Sequence, residues 1–475
     1  MPSPIQTGHQ RGDQKRRSGT SGTPQVGSSG DVIAGLLMGG MISDREPTGW
    51  RLRLLYICLG WALAPFLLAG SLWRGLRDRS YWEALPERLG FGPAAVAGGL
   101  WVHAVSVGEV QAAASLVRAL RKRHPDLPLT LTTATPTGRA RARALFGADV
   151  TVRYLPYDLP GPVGRFLERV RPRLGIVLET ELWPNLYRAS DRRGLPLVLA
   201  SARVSERSVG RYRRLGGIVR ETLAGRVLVA AQSAADAARF VALGAAGERT
   251  CVVGNLKFDF ELPAEVEARG RALRAGLGAG RPVWVAGSTH EGEEELVLEA
   301  HERLRASRPD ALLVLAPRHP QRFEAVAALL RRRGAAFATR AGGGAVGAEA
   351  SVLLLDTLGE LVLFYAAADL AFVGGSLVPV GGHNLLEPAA LGKPVVTGPY
   401  TANAAPVARL LIEAGAATVA ADAAALAATV ARLLADDAAR RSAGAAGLAA
   451  LAANRGALAR FLALLEPLLP PAAAT

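Results

Sequence analysis

The stretch AFVGGSLVPVGGHNLLEPAALGKPVVTGPY, residues 371–400, reads as strand, glycine-rich turn, short helix, strand. Residues 371–373 are apolar and run into Gly374-Gly375-Ser376, and a second pair, Gly381-Gly382, precedes His383-Asn384. Residues 385–391 have helical character, and Lys393-Pro394 opens the next apolar run. Glycine lets backbone approach a ligand closely, and a helix N-terminus offers free N–H groups to an anion. An α/β domain holds a nucleotide phosphate in this way, at the carboxyl ends of its strands. Glu387 stands three residues after Asn384. It serves either a ribose hydroxyl or a capping box with Asn384.

The same alternation extends outward from this segment in both directions. Apolar runs at 282–287, 311–316, 335–339, 351–355, 369–373, 394–397 and 417–420 alternate with amphipathic stretches, and alanine-rich 423–466 reads as helix. A second series lies upstream, at 100–106, 128–134, 150–155, 174–180, 195–201, 227–232 and 249–254. Alternating strand and helix argues for parallel sheets. Between the series, polar and glycine-punctuated 262–280 reads as an inter-domain connection. The expected architecture is two doubly wound Rossmann-like units in tandem, facing a cleft, with domains at 79–265 and 266–475.

The N-terminal region differs. Residues 1–48 are rich in Gly, Ser, Thr, Pro and Arg, and read as a disordered extension. Residues 54–73, LLYICLGWALAPFLLAGSLW, carry no charge. About 20 apolar residues suffice to span a bilayer core as a helix. Arginines flank both ends, so the positive-inside rule gives little orientation. A membrane-anchor helix over 49–78 is expected, spanning or monotopic.

At 475 residues the chain has room for two such domains and an anchor, and half its residues are hydrophobic. The net charge is +15, carried almost wholly by arginine; the lysines are Lys15, Lys122, Lys257 and Lys393. A basic balance suggests an acidic partner, such as anionic lipid or a phosphorylated substrate. Nucleic acid fits poorly, because the basic residues are scattered, without interleaved aromatics or zinc-finger spacing. Two cysteines, Cys58 and Cys251, make neither a disulfide framework nor a Cys-rich metal site.

Four constellations stand at expected strand exits. HAVSVGE, residues 103–109, places Glu109 at a helix start, as general base or as partner of the helix dipole. ETELWPN, residues 179–185, follows the run 174–180; strand alternation would send Glu179 and Glu181 to one side, and Pro184 suits a first helical turn. GNLKF, residues 254–258, presents Lys257, which neutralises a phosphate or carboxylate or is a solvated surface lysine. The fourth comprises Gly287-Ser288-Thr289-His290, Pro317-Arg318-His319-Pro320 and Thr357-Leu358-Gly359-Glu360. Each segment follows an expected strand, and Arg318 suits a phosphate. His290, His319 and His383 raise a metal site as one reading, loop capping as another; no Asp-x-Asp pair accompanies them, and no metal is expected.

Together HAVSVGE, TATPTG, YLPYDLP, LETELWPN, GNLKFD, GSTHEGEE, APRHPQRF, DTLGEL and GGSLVPVGGHNLLEP, in this order, resemble the 3-deoxy-D-manno-octulosonic acid (Kdo) transferases of lipid A and lipopolysaccharide core biosynthesis. The resemblance covers nearly everything after residue 48. It implies a GT-B glycosyltransferase with an N-terminal acceptor domain and a C-terminal donor domain. The implied donor substrate is CMP-Kdo and the implied acceptor a tetraacylated lipid A precursor. The implied place is the cytoplasmic face of the cell inner membrane, with its anionic lipids, and the implied chemistry is metal-independent and without cofactor. Carried over, Glu109 matches the general base, and Glu179 and Lys257 match residues that stabilise the transition state. Pro317 and Arg318, the run Leu358-Gly359-Glu360, and the run Asn384-Leu385-Leu386-Glu387 match contacts to CMP. The departures are the long N-terminal extension and Leu385, where some members carry proline. Two other readings remain: a GT-B transferase using another nucleotide sugar on a lipid, and a membrane-tethered nucleotide-binding scaffold without catalysis.

Overall fold

The computed structural model describes residues 50–278, 280–343 and 346–470. The extension expected over 1–48 lies outside the described residues. The chain forms two compact units. The first holds the residues up to Val107, then Asp126–Val253, and the residues from Leu464; the second holds Gly108–Pro125 and Gly254–Ala463.

The first unit is built on a seven-stranded sheet: β1 (Leu100–His103), β2 (Leu129–Thr133), β3 (Thr151–Tyr154), β4 (Leu174–Leu178), β5 (Leu197–Ala202), β6 (Val227–Ala231) and β7 (Thr250–Val252). Their order is β3-β2-β1-β4-β5-β6-β7, and every pairing is parallel. β1, β2, β4, β5 and β6 are buried along their whole length. That explains why β4 and β6 are continuous apolar runs rather than alternating ones, whereas β2, LTLTT, buries threonines as well. The winding reverses between β1 and β4, the place where an open parallel sheet leaves a crevice at its strand ends.

The second unit repeats the plan with β8 (Val283–Thr289), β9 (Leu312–Pro317), β10 (Phe337–Thr339), β11 (Val352–Leu354), β12 (Leu370–Val373), β13 (Val395–Thr397) and β14 (Ala417–Val419). The order is β10-β11-β9-β8-β12-β13-β14, again all parallel, with the reversal between β8 and β12. Side chains alternate across this sheet. Trp284, Ala286, Leu313 and Leu315 pack on one face with Val297, Leu304, Leu426 and Val430; Val283, Val285, Leu312 and Val314 pack on the other with Phe364 and Tyr365.

All fourteen strands fall where the apolar runs place them. The expected connection over 262–280 contains a helix, Val266–Gly276. Its polar sequence buries only Val266 and Gly270, and a Cβ on Gly270 would stand 2.5 Å from the Cβ of Ala366. The alanine-rich end forms three helices, Ala423–Ala435, Asp437–Asn454 and Ala457–Leu465. Asp436 separates the first two by capping the second, its carboxylate accepting from the Ala439 N–H at 2.9 Å.

An apolar helix, Trp50–Gly75, precedes the first sheet and is long and apolar enough to cross a membrane. Its first turns are tied to the first unit. Arg53 pairs with Glu221 at 3.0 Å, and the Tyr56 hydroxyl donates to Asp158 at 2.9 Å. Beyond them Trp61, Phe66, Leu67, Leu72 and Trp73 are exposed.

Candidate active site

The two strands at the reversal of the first sheet, β1 and β4, carry the HAVSVGE and ETELWPN motifs at their exits. β1 ends at His103, whose fully buried ring meets the Thr132 hydroxyl through Nδ1 at 2.9 Å. Burial pushes the His103 pKa down to about 4, so the ring is neutral. The chain then enters the helix Val107–Ala112, with half-buried Glu109 in its first turn and the Glu109 carbonyl accepting from Ala113 N–H at 2.8 Å. In TATPTG the Thr135 hydroxyl caps the helix Pro136–Phe146 by accepting from Gly138 N–H at 3.1 Å.

β4 stops at Leu178. Glu179 follows with φ 56°, in the left-handed region that non-glycine residues seldom enter, while its N–H still donates to Ala200 at 2.9 Å. The alternation expected for Glu179 and Glu181 is therefore absent: one amide keeps the sheet register as the backbone turns away. Burial, with the like charge of Glu179 adding to it, raises the Glu181 pKa. Pro184 opens the helix Pro184–Arg192, as its fixed φ suits. The helix start is capped from YLPYDLP: Asp158 accepts from Asn185 N–H at 3.0 Å and Leu186 N–H at 2.8 Å.

In the second unit, Lys257 lies in the short 3₁₀ turn Leu256–Phe258, where Asn255 accepts from its N–H at 3.0 Å. Asp259 of the same motif accepts from Gly456 and Leu458 N–H at 2.7 and 2.8 Å, fixing the start of the helix Ala457–Leu465. Lys393, the other lysine of interest, has a structural task. Its ammonium donates to the Ala368 carbonyl at 2.7 Å, and burial lowers its pKa.

The exits of β8 and β12 meet at the reversal of the second sheet. β8 bulges between Gly287 and Thr289, with Ser288 at φ 59°. The next helix, Glu293–Arg305, begins with two fully buried carboxylates. Glu293 accepts four backbone N–H groups: Gly375 at 2.7 Å, Leu377 at 2.9 Å, Ser376 at 3.0 Å and His290 at 3.2 Å. It thereby fixes the glycine loop after β12 against the exit of β8. Glu294 takes Arg322 at 3.1 and 3.2 Å through both oxygens.

The three histidines converge. His290 and His383 meet Nε2 to Nε2 at 2.7 Å with rings nearly parallel, and the His319 ring stands edge-on to His290 with centroids 5.2 Å apart. Among the described residues no group of His, Cys, Asp and Glu is arranged to hold a metal ion. Pro317 is the buried last residue of β9, and exposed Arg318 donates its N–H to Thr289 at 2.9 Å.

The runs expected to touch a nucleotide differ in what they can offer. Leu358 is exposed, Gly359 has φ +85°, and Glu360 forms an ion pair with Arg340 at 2.8 Å. The hydrogen bond from Arg340 lowers the Glu360 pKa. Asn384 is exposed and accepts from Leu386 N–H at 3.1 Å. Leu385 and Leu386 are core residues, packed with Val373, Ala389 and Val395, so they offer a ligand only backbone. Half-buried Glu387 lies close enough to Tyr365 for its charge to add to the burial that raises the tyrosine pKa. The helix here, Leu386–Ala390, is five residues long. Its dipole is correspondingly slight, which weakens the expected role of a helix start near Asn384 in holding a phosphate.

The GSTHEGEE motif contains Glu293, and nothing in its sequence marks the task; the three histidines, which the sequence offers as a metal site or as loop caps, meet one another instead. Three of the four partners of Glu293 lie more than eighty residues downstream, so spacing carries no signal for those contacts.

The family described as 3-Deoxy-D-manno-octulosonic-acid transferase (kdotransferase) matches residues 83–260 of this chain. A 3-deoxy-D-manno-octulosonic acid transferase of Haemophilus influenzae is 42% identical over 427 residues, covering 88% of this chain and 99% of that protein. One of Bordetella pertussis is 45% identical over 419 residues, covering 85% and 96%. Among solved structures, Anabaena Alr3699/HepE in complex with UDP is similar, with TM-score 0.51 and 17% identity over 78% of this chain and 99% of that one. At that identity the likeness concerns the fold alone.

Proposed function

Because this chain belongs to the 3-deoxy-D-manno-octulosonic acid transferase family and has the two doubly wound units of a GT-B glycosyltransferase, we propose that it moves Kdo from CMP-Kdo to a tetraacylated lipid A precursor with inversion at the anomeric carbon. The observation that carries the reading is the 42% identity over 99% of a relative named a 3-deoxy-D-manno-octulosonic acid transferase. Transferase activity belongs to the family; donor, acceptor and stereochemistry are the proposal.

Glu109 takes the proton from the acceptor hydroxyl as its oxygen attacks the anomeric carbon. The bond from that carbon to the phosphate oxygen breaks, and CMP leaves with the electron pair. Glu179 and Lys257 stabilise the transition state. Three observations support these assignments. Glu109 stands in a first helical turn, Glu179 occupies a left-handed conformation at a strand exit, and strained conformations of that kind cluster at functional sites. Lys257 supplies a compact positive charge in a chain that otherwise uses arginine. The nucleotide is held by Pro317 and Arg318, by Leu358-Gly359-Glu360 and by Asn384-Leu385-Leu386-Glu387, with Leu385 and Leu386 contributing backbone. Arg318 offers an exposed guanidinium that forms no ion pair among the described residues. The domain reading follows: 79–265 takes the acceptor and 266–475 the donor.

The helix Trp50–Gly75 attaches the enzyme to the inner membrane, with the sheets on the cytoplasmic side. At about 1.5 Å per residue its length exceeds the bilayer core of about 30 Å. The surplus of arginine favours anionic lipid and an anionic acceptor.

The test is mass spectrometry of the lipid after incubation with CMP-Kdo and the tetraacylated disaccharide. A product heavier by one or more Kdo residues is expected. An unchanged lipid, with product formed instead from a UDP-sugar, would move the chain to the other transferase reading.

A further inference from the structure

The histidine cluster has no task in the reaction as drawn above. We propose that the paired imidazoles of His290 and His383 bind the phosphate of the nucleotide donor and take up one proton as they do so. The inference rests on the donor reading only in taking a nucleotide as the ligand of the second unit.

Placement is the first argument. His290 leaves β8, His319 leaves β9, and His383 follows the glycine loop after β12. β8 and β12 are the neighbours between which the winding of the sheet reverses, where open α/β sheets bind their ligands. The local backbone is shaped around the rings. Gly375 has φ +67°, and a Cβ there would stand 2.9 Å from His383 Nε2 and 3.5 Å from His290 Cδ2. The amide of that glycine and the amide of His290 are both held by Glu293.

The second argument is proton arithmetic. At an Nε2–Nε2 contact of 2.7 Å, one neutral ring donates and the other accepts. A further proton is taken at Nδ1 of the donating ring, which leaves the Nε2–H···Nε2 bond intact and gives that ring an N–H to offer an anion. The Nδ1 atoms of both rings form no hydrogen bond among the described residues.

The third argument is charge. The charged groups acting on the pair are Arg318, Arg322 and His319, from the loop after β9; the segment after β8 carries Glu291, Glu293 and Glu294. Glu291 and Glu294 are paired with Arg322, and Glu293 is committed to four N–H groups. Arg318 and His319 remain, and neither forms an ion pair among the described residues. Burial and these neighbours lower the His290 pKa and push that of His383 down to about 4. The empty pair is thus neutral, and an anion seated on it would favour the protonated form.

The experiment is isothermal titration calorimetry of the full chain in detergent with cytidine 5′-methyl phosphate, whose diester does not titrate near neutral pH. Repeating it in buffers of different ionisation enthalpy counts the protons exchanged. Uptake approaching one proton is expected. His383→Gln and, separately, His290→Gln should abolish the uptake and weaken binding about tenfold or more. Cytidine should bind without proton exchange and equally well to wild type and variants, which also shows that the variants are folded. Diester binding without proton uptake, or undiminished binding by both variants, overturns the proposal and leaves the nucleotide reading standing. If wild type binds neither the diester nor cytidine, both fall.

Discussion

Glu109 and Glu293 are both acidic residues of a first helical turn, yet their surroundings give them opposite tasks. Glu109 is half-buried and follows the exit of β1, where a carboxylate is accessible to a hydroxyl. Glu109→Ala is expected to lower turnover by at least about a hundredfold, within the range of general base catalysis, while CMP binding persists. Near-normal turnover in a radiolabelled Kdo transfer assay would remove the base assignment. Glu293 has no exposed surface and accepts four backbone N–H groups. Removing it leaves buried donors unsatisfied, each at a cost of about 1–3 kcal/mol. Glu293→Ala should therefore destabilise the second unit by on the order of 3 kcal/mol or more, read as a lower urea midpoint; an unchanged midpoint would contradict the anchoring role. The sequence announced Glu109 because its glycine, helix start and strand exit are consecutive. It was silent on Glu293 because three of the four amides it accepts from belong to a loop far along the chain. Glu179 lies between these cases: its identity was legible, but its left-handed turn was not, since strand periodicity has no way to mark where a strand stops.

Elements buried on both faces were the most legible part of the fold. Runs such as VLVAA and LLVLAP are apolar throughout because helices cover both sides of a parallel sheet. The helix Val266–Gly276 was hidden because Arg and Glu dominate its surface and its close contact uses Gly270 against Ala366. The apolar helix Trp50–Gly75 was legible by length, but not its attachment. Arg53 and Tyr56 place polar groups on its first turns, and Asp158 receives the Tyr56 hydroxyl while capping Pro184–Arg192. This one carboxylate joins the apolar helix to the segment that follows Glu179. Tyr56→Phe should lower stability by about 1 kcal/mol, the usual net worth of one hydrogen bond, and chemical denaturation in detergent would register it. Deleting 50–75 should move the protein from the membrane pellet to the supernatant on fractionation. Retention in the pellet would mean that another surface holds the bilayer.

Each unit of the molecule carries a buried neutral imidazole, and this couples the stability of both to acid in the same pH window. His103 lies at the end of β1 and His301 on the helix Glu293–Arg305. His301 accepts from Trp284 Nε1 at 3.1 Å and reaches the Ser351 carbonyl at 2.9 Å, which fixes its proton on Nε2. Burial holds both groups at a pKa of about 4. In the unfolded chain they titrate near the ordinary value of about 6.5. Between those values the unfolded chain binds more protons than the folded one, so stability falls as pH falls. The loss begins near pH 6.5, grows by about 1.4 kcal/mol per pH unit for each group, and levels off near pH 4. This coupling does not depend on Glu109, so Glu109→Ala should show the same acid profile as wild type. Scanning calorimetry between neutral pH and pH 4 is expected to show the melting temperature dropping through this window. His301→Gln, which removes the titrating ring but keeps a donor and an acceptor, should flatten the slope whatever its effect at neutral pH. An unaltered slope in that variant would mean that the His301 ring is protonated in the folded protein, contrary to its bond from Trp284.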